Sequence, residues 1–279
     1  MTHRRLRGSL LNGFKVSTIA LITLGWFLSS LAIAAPANRR FQVVFRPRAG
    51  EGAPQQTRGA ATRGNCHADV GNDSLALTLL LPSANPSLQK QGSTVKAGLT
   101  VKEELTVSAH PTFLVYVPKT SAKIAEFTLA TDVPERAVRA KEASQYTYTQ
   151  RIALTGQPGI IAVTLPSDEP ALALNTPYKW TFSLVCGDDR NRSADAYAEG
   201  TIRRVTLEAD QQVRLARATD ALEKAAIYGE AGIWYDLVAT LAAAQRLSQG
   251  DAAVSDSWAN LLNSTTVNLG SLAQASLVD

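Results

Sequence analysis

The chain has 279 residues, 28 Lys and Arg against 24 Asp and Glu, and only two cysteines. Four of the bases (Arg4, Arg5, Arg7 and Lys15) precede residue 35, and without them the remainder carries 24 bases against 24 acids. That balance removes the electrostatic argument for a nucleic-acid partner.

The first 34 residues read as a secretory signal peptide. Positive residues precede an apolar run from Val16 to Leu31, which ends in Ala32-Ile33-Ala34 with small residues where a signal peptidase reads. Cleavage near Ala34 is expected, leaving a periplasmic or secreted protein. An uncleaved signal anchor is the alternative, and the twin-arginine route ranks low. No later segment is apolar and long enough to span a membrane. Residues 35–64 carry Arg39, Arg40, Arg46, Arg48, Arg58 and Arg63 against Glu51 alone. Rich in Ala, Pro, Gly and Gln, they are expected to form a disordered basic linker.

A β-sandwich domain is expected over 65–205, where the pattern has period two. Tyr178, Trp180, Phe182, Leu184 and Cys186 share one face of the clearest strand. Leu75 to Leu81, Phe113 to Val117 and Ala125 to Leu129 make further stripes, and Val95 to Val107 adds another strand. Tyr146 to Leu154 and Ile160 to Leu165 flank Thr155-Gly156-Gln157-Pro158-Gly159, which reads as a hairpin turn. A last strand ends near Val205. Such spacing points to an antiparallel, immunoglobulin-like sandwich, with a barrel as the alternative.

After Thr206 the period becomes 3.6. Leu215, Ala218, Leu222, Ala225 and Ala226 mark one helix, and Gly232 stops it after Tyr228. A second helix covers Ile233 to Leu247, and Ser255 is placed to cap a third through Trp258, Leu261 and Leu262. Residues beyond Thr265 are expected to fray. The spacing of Ala225, Tyr228, Gly232, Leu237 and Leu241 is like half of a tetratricopeptide repeat. Residues 206–279 are therefore taken as a helical hairpin that packs on the sandwich.

Several motifs occur together: Thr62-Arg63-Gly64-Asn65-Cys66, Pro111-Thr112-Phe113-Leu114-Val115-Tyr116-Val117-Pro118, Gly156-Gln157-Pro158-Gly159-Ile160, Trp180-Thr181-Phe182-Ser183-Leu184-Val185-Cys186 and Tyr228-Gly229-Glu230-Ala231-Gly232-Ile233-Trp234-Tyr235-Asp236. In combination they resemble the cyanobacterial domain-of-unknown-function family numbered 928. The resemblance implies an exported cyanobacterial protein and supplies no catalytic residue.

Chemistry is sparse. G-x-S-x-G, H-E-x-x-H, phosphate-loop and G-x-G-x-x-G motifs are all missing. In an oxidising space Cys66 and Cys186 are expected to form a disulfide, closing a loop of about 120 residues. A catalytic pairing of Cys66 with His67, or a metal held by His67 and His110, is disfavoured. The acidic loop from Asp188 to Asp195 lacks calcium spacing. No metal or cofactor is expected. Tyr146 and Tyr148, with Gln150, make an aromatic ladder that would suit sugar rings if exposed. Trp234, Tyr235 and Trp258 are the first choices for a protein contact. These signs favour a non-enzymatic binding or adaptor protein whose partner is an unidentified envelope protein or glycan. A carbohydrate-binding module is the first alternative, and a hydrolase with an unrecognised site the second.

Overall fold

The computed structural model describes residues 42–48, 75–82, 103–132, 145–187, 192–248 and 250–278. Among the described residues nine strands follow in chain order: β1 (Thr78–Leu79), β2 (Glu104–Thr106), β3 (Thr112–Val117), β4 (Ile124–Thr131), β5 (Thr147–Ala153), β6 (Gly159–Thr164), β7 (Pro177–Val185), β8 (Ala196–Arg204) and β9 (Leu277–Val278). They form two sheets, ordered β1-β3-β6-β9 and β2-β8-β7-β4-β5. Four helices lie between β8 and β9: α1 (Ala209–Arg217), α2 (Ala221–Glu230), α3 (Trp234–Leu247) and α4 (Ala252–Asn263).

The period-two stripes become the core. Tyr178, Trp180, Phe182 and Leu184 of β7 are buried, as are Ala125, Phe127 and Leu129 of β4. Phe113, from the other sheet, places its ring 4.8 Å from Phe127 and 4.9 Å from Trp180. Both sheets thus contribute to one apolar interior. Gly200 on β8 makes room for the indole, because a Cβ there would sit 2.7 Å from Trp180 Nε1.

The segment from Thr155 to Gly159 is not a hairpin. β5 pairs with β4 and β6 pairs with β3, so the chain crosses from one sheet to the other. The burial of the two strands explains this. β5 alternates between exposed and half-buried residues, which suits a sheet edge, whereas Ile160, Ile161 and Val163 of β6 are all buried. Nor are the sheets wholly antiparallel: β2 runs parallel to β8, and β9 parallel to β6. In each pair the partner arrives from far along the chain, which permits a parallel crossover.

The helical region also differs from expectation in three places. The first helix is broken, because Ala218 is extended and the Asp220 carboxylate caps α2 by accepting from Leu222 N and Glu223 N. Asp251, not Ser255, caps α4, accepting from Ala253 N at 2.8 Å. The tail is ordered: Val267, Leu269 and Leu272 are buried, and Leu277–Val278 becomes β9. These apolar residues follow no regular period, which hides them from a periodicity argument.

α3 packs on β2 and β3. Its first two residues are driven into the core, where Trp234 Nε1 donates to the Leu80 carbonyl at 2.7 Å and Tyr235 Oη donates to the Thr201 carbonyl at 2.9 Å. Part of the expected linker joins them. Val43 and Phe45 are buried, and Phe45 meets Trp234 edge-on at 4.9 Å. Two apolar residues at i and i+2 in an arginine-rich stretch are too short a pattern to show as an element. Residues 1–34 lie outside the described residues.

Candidate functional site

The site begins with the alternation of β2. Leu105 turns to a small apolar cluster with Val205, Leu207, Ala231 and Ile233. Thr106 points the other way, toward the first turn of α3. There Asp236 Oδ2 accepts from Thr106 Oγ1 at 2.7 Å and from Val107 N at 3.0 Å. An acidic residue in that turn also complements the helix dipole. The connection to β3 continues the network. Ser108 N donates to Thr106 Oγ1 at 3.0 Å, and His110 N donates to Ser108 Oγ at 3.2 Å. His110 Nε2 lies 2.9 Å from the Glu169 carbonyl oxygen. Thr240 Oγ1 donates to the Asp236 carbonyl at 2.6 Å. Between the β2–β3 connection and α3, Thr106, Ser108, His110, Asp236 and Thr240, with Tyr228, line an open hollow of about 120 Å³.

Burial raises the Asp236 pKa above the usual carboxylate value, while the Thr106 and Val107 hydrogen bonds oppose the shift. Burial and the nearby Asp236 charge push the Tyr228 phenol up to about 12. The hollow thus holds one carboxyl among neutral hydroxyls. Ser108, His110 and Asp236 are the residue types of a hydrolytic triad, yet the hydrogen bonds do not connect them as one. Asp236 holds Thr106 and Val107, and the imidazole Nε2 faces the Glu169 carbonyl. The sequence hides this site, because Thr106 and Asp236 lie 130 residues apart.

The aromatic residues singled out from the sequence lie elsewhere. Tyr146 and Tyr148 are half-buried, and both pack against the core. Tyr148 sits opposite Leu129 with its ring 6.4 Å from Phe127, and its hydroxyl donates to Gln150 Oε1 at 3.3 Å. Tyr146 Oη donates to Glu169 Oε2 at 3.0 Å, and burial raises its pKa. The pair turns toward the interior rather than offering an exposed ladder. Trp234, Tyr235 and Trp258 are 0%, 2% and 3% exposed, so they have no face to offer a partner. Cys186, the residue after β7, is half-buried, its N–H donating to Asp195 Oδ1 at 2.9 Å. Cys66, His67 and residues 188–191 lie outside the described residues. Among the described residues no group of three or more His, Cys, Asp or Glu is placed to hold a metal, and no helix is long and apolar enough to cross a membrane.

The outward face of the five-stranded sheet is polar. Strand register aligns Arg151, Glu126, Ser183 and Tyr197 in one row, and Thr149, Thr128, Thr181 and Glu199 in the next. Arg192 binds Glu126 and Asp195, and Lys179 meets Glu199 at 2.9 Å. Tyr197 is 44% exposed, flanked by the buried Ala196 and Ala198. The signal for it was only an aromatic between two small residues on an alternating strand.

Residues 58–277 match the family described as Domain of Unknown Function (DUF928). The chain belongs to this family. No curated protein and no solved structure matches it. The DUF928 stretch contains strands β1 to β8, all four helices, the Asp236 hollow and the Tyr197 face. The segment 42–48 precedes it.

Proposed function

We propose that this DUF928 protein is an exported, non-enzymatic binding or adaptor protein of a cyanobacterial periplasm. In this reading the leader is cleaved near Ala34, and Cys66 is bridged to Cys186 across an immunoglobulin-like sandwich. The tetratricopeptide-like α2–α3 pair then serves the core rather than a partner. The observation that carries the reading is the engagement of the polar groups around Asp236. The Asp236 carboxylate ties Thr106 and Val107 to α3 and the His110 imidazole faces the Glu169 carbonyl, so neither is aligned with Ser108 as a nucleophile–base pair. Such a network stiffens a scaffold, and stiffness favours recognition by lowering the entropy lost on binding.

The surface assigned to recognition is the outward face bearing Tyr197. A photo-reactive residue placed at Tyr197 in periplasmic protein should yield a discrete cross-linked product. The same residue at Leu247, on a helix and 87% exposed, serves as the control. No product at Tyr197, or the same product at both positions, overturns the reading.

A carbohydrate ligand is the second reading, favoured by the open ring of Tyr197 beside Ser183, at one end of a polar row that continues through Glu126 to Arg151. Glycan-array binding lost in Tyr197→Ala and kept in Tyr148→Ala would establish it. A silent array would end it.

A further inference from the structure

Residues 42–48 occupy the turn between α2 and α3 as a peptide occupies a binding groove. Their side chains alternate: Val43 and Phe45 are buried, while Gln42, Val44 and Arg46 are exposed. Arg46 N donates to the Gly229 carbonyl at 3.0 Å. Arg48 Nε donates to the Ala231 carbonyl at 3.0 Å, placing a cation at the negative end of α2. The groove is shaped for a backbone. A Cβ on Gly229 would meet the Val44 carbonyl oxygen at 2.3 Å. Gly232 adopts φ +70°, and a Cβ there would meet the Arg46 oxygen at 2.9 Å. The pattern accepted is apolar at 43, aromatic at 45 and basic at 48.

We infer that this groove is a docking site for the 42–48 segment as a separable ligand, and that in concentrated protein it takes the segment from a second copy of the chain. The DUF928 match starts at residue 58, so groove and occupant belong to different parts of the sequence. Every copy carries the occupant, and an exchanged arm would make the same contacts in trans that it makes in cis. Chain length permits the exchange. Residues 49–74, 26 in number, separate Arg48 from Leu75, a reach of about 90 Å when extended. If Cys66 is pinned to Cys186, the 17 residues 49–65 still reach about 60 Å. A folded body of this size is about 45 Å across. In dilute solution the tethered copy of the arm wins by effective concentration.

The test uses two full-length variants. Phe45→Ala weakens the arm and keeps the groove. Gly229→Val blocks the groove and keeps the arm. Each alone should sediment as a monomer near 100 μM, and their mixture should form a mixed dimer. Wild-type protein should show a dimer fraction that rises with concentration and falls when a synthetic 42–48 peptide is added. That labelled peptide should bind Phe45→Ala about tenfold more tightly than wild type, whose own arm competes. No mixed dimer from two folded variants overturns the inference, as does a dimer that ignores both substitutions. Peptide binding without a mixed dimer restricts the arm to its own chain and also overturns the exchange. If Gly229→Val fails to fold, the titration of Phe45→Ala and the peptide sensitivity of the wild-type dimer decide. Failure of either sinks the proposal.

Discussion

Trp180 Nε1 donates to Tyr235 Oη at 2.7 Å, joining the middle of β7 to the first turn of α3 across 55 residues of chain. The phenol O–H in turn donates a hydrogen bond to the Thr201 carbonyl on β8. Two buried rings with polar edges thus satisfy each other where no water reaches. The contact makes the first turn of α3 part of the interior between the sheets.

Tyr235→Phe should therefore cost more than a lost hydroxyl on the surface. It leaves the Trp180 N–H and the Thr201 carbonyl without this partner in a buried setting. The expected loss is about 1–3 kcal/mol of unfolding free energy, read from the urea midpoint at unchanged slope. An unchanged midpoint would show that the pair contributes nothing net.

The Asp236 clasp gives two opposed expectations. Asp236→Ala strands Thr106 Oγ1 and Val107 N and should cost about 2–3 kcal/mol. Asp236→Asn keeps an acceptor for both donors and removes the buried charge, so it should be near neutral at pH 7. The pH dependence follows from the raised carboxyl pKa. The native state then holds its proton more tightly than the unfolded chain. Stability is highest below the unfolded carboxylate value and falls as pH rises through the native one. The stability difference, wild type minus Asp236→Asn, followed from pH 4 to 7, should therefore fall as pH rises. A slope of the opposite sign would refute the assignment.

Strands such as β4 and β7 are legible because their apolar residues recur every second position and one face is buried. The same logic fails at the crossing between β5 and β6, where turn residues at Gly156 and Gly159 resemble a hairpin. Only the two-sided burial of Ile160 and Ile161 reveals the change of sheet. The Asp236 hollow was not legible, since it joins β2 to α3 across 130 residues and uses common polar residues in ordinary hydrogen bonds. Tyr146 and Tyr148 were legible as a pair on one face. Which face was buried depended on the register with Leu129, which composition does not carry. Phe45 is hidden by its arginine-rich surroundings, although its counterpart, the glycine-bearing turn after Tyr228, is plain in the sequence.

The end of the chain offers a third expectation. Ile160 N donates to the Ser276 carbonyl at 2.7 Å, and a Cβ on Gly159 would sit 2.7 Å from a Val278 methyl. Gly159→Ala should therefore push β9 off the edge of its sheet. Faster amide exchange at Ile160, with the exchange of β4 and β7 unchanged, would report the detachment. Uniform acceleration across all strands would instead mean global destabilisation and would count against a local latch.

The fourth expectation returns to Trp180. A Cβ on Gly200 would lie 2.7 Å from its Nε1 and 2.8 Å from Leu81 Cδ1. The indole cannot retreat without breaking its bond to Tyr235, and Leu81 is itself buried, 1% exposed. Gly200→Ala should therefore destabilise by about 2–3 kcal/mol through overpacking. Trp180→Phe removes the ring that the new methyl would strike, at the cost of a cavity. In that background Gly200→Ala should cost much less, because the space it needs has been vacated. The double-mutant cycle isolates this coupling, with an expected interaction of at least about 1 kcal/mol favouring the double variant. Additive costs would mean that the backbone of β8 yields rather than the indole, and that Gly200 is not there to seat Trp180.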